Sequence, residues 1–239
     1  MLPQPPPNAP APPPSEGALL SQRKWKRLLM VGLVSFGIVI VAMMVLTAPL
    51  TLRSLKKPAD RTEAVSNARQ MALVLFEFEN EYGAYPNADT VVAVQKATAT
   101  KLNLGTKTSN DFFRQLIAAN MTQSEKIFYA RITGARKPDD DITGTEALKK
   151  GECYFTYFLG AKATDNPKRP LAATPMIPGS DRFDPEPFEG KAVVLSVDNS
   201  VISIPIDKDG HIHIEGKLFM DPTNPIWDGH PPVIVWPEL

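Results

Sequence analysis

Two hydrophobic patterns dominate the first third of the chain. Residues 28–52 form a run of 25 without a single charge, bounded by Arg23, Lys24, Lys26 and Arg27 on one side and by Arg53, Lys56 and Lys57 on the other. A helix of that length rises about 37 Å, enough to cross a hydrocarbon core of about 30 Å with some tilt. The pattern then becomes periodic. Ala64, Ala68, Met71, Leu75, Phe78 and Tyr82 recur at alternating spacings of four and three, flanked by Val65, Ala72 and Phe76. This predicts an amphipathic helix over 60–82. Asp60 and Glu63 suit its first turn, Gly83 supplies a C-cap, and Pro86 blocks continuation.

Further helices are expected over 89–97, from Ser109 or Asn110 through Phe112, Phe113, Leu116 and Ile117, and from Thr122, where Thr-x-x-Glu has the form of a capping box. Residues 134–152 read as a polar loop, and the six prolines between 166 and 187 as a long surface excursion. The last third changes period. Residues 191–197 and 200–206 read as two strands about an Asp198-Asn199 turn, and 211–215 as a third strand of the same antiparallel meander after the turn 207–210. Pro205 suits an edge or a bulge. Helices followed by strands give an α+β order.

Composition divides the chain further. Eight of the 24 prolines lie in the first 14 residues, so 1–22 is expected to be an extended, disordered tail. The formal net charge of zero hides a basic flank around the apolar run and, from Thr62 onward, 18 basic against 24 acidic residues. That balance argues against nucleic-acid binding. The expected layout is a Pro-rich cytoplasmic tail (1–22), a basic-flanked transmembrane helix (23–57) acting as an uncleaved signal anchor, and a soluble domain (58–239). The domain divides into an amphipathic helix (58–86), a helical and loop insertion (87–190), and an antiparallel sheet with a C-terminal extension (191–239).

Candidate chemistry is sparse. His211 and His213 share a strand face, with Asp207 and Asp209 in the preceding turn, but no third ligand is spaced for a metal site, and His230 lies in a turn. The run Asp139, Asp140 and Asp141 and the turn at Asp207 are the places where calcium is possible; otherwise no cofactor is expected. A hydrolase using Asp207, Asp209, His211 and His213 is the weaker alternative. Cys153, among aromatics and without a nearby base, reads as a buried apolar side chain. No catalytic motif is recognised, so the chain reads as non-enzymatic, with no catalytic, cofactor or metal residue assigned and no small-molecule substrate.

A basic flank, a single span, a short linker and a helix running from Asn67-Ala68-Arg69-Gln70-Met71 to Tyr82-Gly83-Ala84-Tyr85-Pro86 resemble the type IV pilins and the pseudopilins of type II secretion. The strand–turn–strand at 193–201 resembles the same family. The processing pattern departs from it: Gly32 is followed by Leu33, and Gly37 stands at the fifth position, where the family carries Glu. The resemblance implies a helix packed on an antiparallel sheet and a structural or accessory role in a secretion or pilus-like assembly. It also implies pilin-like or secretion-system proteins and the lipid bilayer as partners. The implied location is the bacterial inner membrane, with the N-terminus cytoplasmic and the domain periplasmic. A membrane-anchored binding module with a pilin-derived fold and no filament role is the alternative.

Overall fold

The computed structural model describes residues 16–143 and 147–239, without the side chains of 16–24, 26–27 and 45–55. Residues 1–15 of the expected Pro-rich tail lie outside the described residues. The chain divides into two compact units, Met1–Ser54 and Leu55–Leu239.

In the first unit the backbone is helical from Glu16, the start of α1 (Glu16–Tyr82). The expected transmembrane helix is corrected: among the described residues no helix is long and apolar enough to cross a membrane. The signal-anchor assignment, the single-pass inner-membrane location and the transmembrane part of the expected fold all rested on that helix and fall with it.

The second unit is α+β. Its part of α1 buries Ala64, Ala68, Met71, Ala72, Leu75 and Phe78 completely or nearly so, because spacings of three and four return to one helical face. Phe76, which the pattern placed beside the stripe, is exposed. Gly83 ends the helix at φ +75°, its N–H donating to the Glu79 carbonyl at 2.8 Å; that left-handed conformation favours glycine. Helix α2 (Ala88–Thr98) is capped by Asn87 and α3 (Ser109–Ala118) by Thr108, each with a reciprocal capping box. Gln115 ties the two, accepting from Thr90 Oγ1 at 2.7 Å and donating to the Asn87 carbonyl at 3.0 Å. The capping box expected at Thr122 gives way to a single 3-10 turn, Glu125–Phe128, capped by Ser124.

Five antiparallel strands form the main sheet: β1 (Thr156–Leu159), β2 (Pro170–Thr174), β3 (Lys191–Ser196), β4 (Val201–Pro205) and β7 (Val233–Val235), in the order β4-β3-β2-β1-β7. Pro205 lies on the edge strand β4. Within the stretch expected as a surface excursion, Pro170–Thr174 is instead a wholly buried strand at the centre of the sheet. The third strand of the expected meander does not join β4. Its part His213–Ile214 is β5, which pairs with β6 (Lys217–Leu218) across a two-residue turn at Glu215-Gly216 in a separate ribbon.

Both faces of the main sheet are covered. Because side chains alternate along a strand, Val193 and Leu195 join Leu171, Tyr157 and the α1 stripe in one core. Ala192 and Val194 join Ala173, Phe158, Phe183, Phe219, Ile226 and Trp227 in a second. Trp227 stands 5.3 Å from Phe158 and 5.5 Å from Phe219, ring centre to ring centre, and its indole N–H donates to the Phe219 carbonyl at 2.6 Å. On α1, Ala64, Ala68 and Ala72 present only methyl groups at i, i+4 spacing, which permits close approach of the helix to what it covers.

Candidate functional site

Residues singled out by the sequence are largely dispersed. The Asp207 carboxylate closes its own turn: Oδ1 accepts from the backbone N–H groups of Asp209 and His211, both at 2.9 Å. The His211 N–H bond, the largest influence, holds this carboxyl below the usual carboxylate value. His211 faces Asp181 at 3.7 Å, whereas His213 faces Asp207 at 3.7 Å. Two imidazoles turned to different carboxylates do not assemble the joint site that the weaker hydrolase reading requires. Cys153 is fully buried, with its thiol 3.7 Å from the Phe155 carbonyl.

Burial pushes the Cys153 thiol up to about 12. The unfolded chain releases that proton near pH 9, so this contribution to stability is intact below about pH 9 and is lost as the pH rises toward 12. Iodoacetamide is therefore expected to leave the native chain unlabelled at about pH 8 and to label it fully in denaturant. Rapid native labelling, followed by mass spectrometry, would contradict this burial.

Carboxylates do converge elsewhere. One oxygen each from Glu125, Asp139 and Glu152 lies within 4.8 Å of the others, the one such group of acidic or imidazole side chains among the described residues. Glu125 opens the 3-10 turn and Glu152 follows Gly151; both are fully buried, whereas Asp139 is exposed. Glu125 Oε1 accepts from the Leu148 N–H, and Glu152 Oε2 accepts from the Lys149 N–H at 2.7 Å. Glu125 Oε2 and Glu152 Oε1 have no hydrogen-bond partner. Burial, assisted by the charges of Glu152 and Asp139, raises the Glu125 carboxyl above its ordinary value despite the Leu148 bond.

The cluster has a basic rim. Lys149 Nζ donates to Asp139 at 3.0 Å, and this bond chiefly holds the Asp139 carboxyl below its ordinary value. Arg136 lies 3.4 Å from both Asp139 and Glu152. Asp140 and Asp141, the other acids of the run, turn away from the cluster. Asp140 accepts from Ser124, the Glu125 N–H and Lys126, and Asp141 from Thr143. Arg136 and Lys149 also line an adjoining cavity of about 450 Å³ with Asp111, Arg114, Lys150 and Glu238. Sequence reading found Asp139 within its acidic run but missed Glu125 and Glu152, which have no spacing signature.

The first unit carries a different kind of feature. Described side chains of α1, Trp25 and those from Leu28 to Met44, are exposed around the whole helix and, Ser35 apart, apolar. Trp25, Leu28, Leu29, Leu33 and Phe36 border a shallow apolar depression at Gly32. The hydroxyl of Ser35 is satisfied internally by the Val31 carbonyl at 2.8 Å. Comparison of the chain with known protein families, with curated proteins and with solved structures found no match.

Proposed function

We propose that the chain is a non-enzymatic structural subunit of a pilin-like assembly, with its N-terminal helix packed among equivalent helices of other copies or related subunits. The observation that carries this reading is the apolar collar from Leu28 to Met44, exposed on every side of α1. A single partner seated in one groove needs one apolar stripe. A helix apolar all round is stable in water only when it is covered all round, which calls for several neighbouring helices. Gly32 and Gly37 carry no side chain and, among the described residues, have open space beside them, which gives neighbours room for close approach. The second unit supports the same reading through its amphipathic helix packed with an antiparallel sheet, the arrangement that the pilin resemblance implies.

Sedimentation of the full chain tests it. The native sequence is expected to sediment as a multimer at about micromolar concentration, and the double variant Val34→Asp/Ile38→Asp as a monomer with an unchanged circular dichroism spectrum. Burying an unpaired carboxylate in a helix bundle costs several kcal/mol, about a thousandfold or more in association. A native chain that is monomeric, or a variant that associates equally well, would overturn the proposal.

A further inference from the structure

We propose that Glu125, Glu152 and Asp139 form a binding site for one hard divalent cation, with calcium the best fit. The acidic grouping alone would not carry this. The independent observation is that Glu125 Oε2 and Glu152 Oε1, each on a wholly buried side chain, lack any hydrogen-bond partner. Each carboxylate spends its other oxygen on a backbone N–H, of Leu148 and Lys149 respectively. A buried carboxylate oxygen left without a donor or a cation is strongly disfavoured, and two such carboxylates within one cluster call for a shared positive partner.

Arg136 does not supply it in full. Its Nε is 3.4 Å from Glu152 Oε1 without forming a hydrogen bond, and its side chain is more than half exposed. Lys149 directs its ammonium to Asp139 at 3.0 Å and to Asp141 at 3.5 Å. A calcium ion takes oxygen ligands at about 2.3–2.6 Å, so opposite ligands stand about 4.8 Å apart. The three oxygens lie within that span of one another. The donor set is all carboxylate, with neither imidazole nor thiolate, which selects hard cations over zinc or copper. Three carboxylates leave coordination positions for water, which the exposed Asp139 admits. A bound ion would join the 3-10 turn at Glu125 to the segment carrying Asp139 and Glu152. The inference stands independently of the assembly reading.

The test is calcium titration of the full chain after exhaustive dialysis against EGTA, read by calorimetry and by Tm. One saturable site is expected below about 1 mM, with Tm rising as calcium is added. Glu125→Gln keeps the oxygen that accepts from Leu148 and removes the charge; it is expected to weaken binding at least tenfold, as is Glu152→Gln. Asp139→Asn, at an exposed position, provides the same reading should either buried variant fail to fold. Asp209→Asn, in the other acidic turn, should bind as the native chain does. Absence of heat and of any Tm shift at about 10 mM calcium would overturn the proposal. So would saturable binding that survives unchanged in all the folded cluster variants.

Discussion

Phe113→Ala is expected to destabilise the second unit by about 3–5 kcal/mol, the range for removing a fully buried aromatic ring that its neighbours cannot collapse to replace. Phe113 is wholly buried on α3. Its ring is stacked on Phe128 at 5.1 Å and meets Tyr157 edge-on at 5.1 Å. It therefore joins three elements distant in sequence: the helix, the 3-10 turn that begins at Glu125, and strand β1. Each aromatic pair adds about 0.5–1.5 kcal/mol beyond burial itself. Tyr157 is further held by its hydroxyl, which donates to the Pro86 carbonyl at 3.0 Å, so it is poorly placed to move into the vacated space. Urea unfolding followed by circular dichroism should show the midpoint falling with little change in slope. A loss below about 1.5 kcal/mol would mean that the cluster repacks freely.

Arg114→Ala should be comparably severe for a different reason. The guanidinium is nearly buried and its donors are committed: Nε to the Ala147 carbonyl at 2.6 Å, Nη2 to the Leu148 carbonyl at 3.1 Å, and Nη1 to Asp111 at 2.6 Å. Removing one partner of a buried ion pair costs about 3–5 kcal/mol because the other charge remains. Asp111 keeps its bonds from the Lys107 and Thr108 N–H groups, and Leu148 keeps the one from Asn110. The Ala147 carbonyl and the Asp111 charge are therefore the principal losses. Lysine offers a point charge in place of a planar fork, so Arg114→Lys should recover less than half of the loss. A double-mutant cycle with Asp111→Ala separates the ion pair from the carbonyl bonds. Near-additivity of the two single losses would show that Arg114 acts on the loop through those carbonyls alone. The same substitution should weaken calcium binding, since Arg114 holds the segment just before Glu152.

The parts of this fold that were legible in the sequence are those governed by local rules. The helix stripe at Ala64, Ala68, Met71, Leu75 and Phe78 followed from spacing, and Gly83 marked its end. The pair of strands either side of Asp198-Asn199 followed from composition and turn chemistry. Where partners are remote, the pattern was silent or misleading. Strand β2 is covered on both faces and bounded by prolines, so Pro170–Thr174 has no alternation to read. His213 lies in a strand, but its partner is Leu218, a pairing that hydropathy cannot specify. The apolar run after Arg27 was plain, yet hydropathy alone carried it to a membrane span that no described helix supports. Glu125 and Glu152 are brought together by tertiary folding around Phe113 and Arg114, with no fixed interval between them to recognise.

The edge position of β4 has one more consequence. Ser196 donates to the Ser200 carbonyl, and Ile206 donates to the Gly190 carbonyl. In an antiparallel pair the bonded positions alternate, so Ile202 and Ile204 face β3 with their N–H groups while Val201, Ser203 and Pro205 face outward. Proline has no N–H to offer, which leaves two outward donors along the whole strand. The opposite edge is shielded, since Ser109 donates to the carbonyls of Val235 and Trp236 beside β7. Adding a foreign strand to either side of this sheet is therefore disfavoured. Copies of the chain crowded together by their N-terminal helices would have little means of fusing their sheets into a continuous, irreversible aggregate.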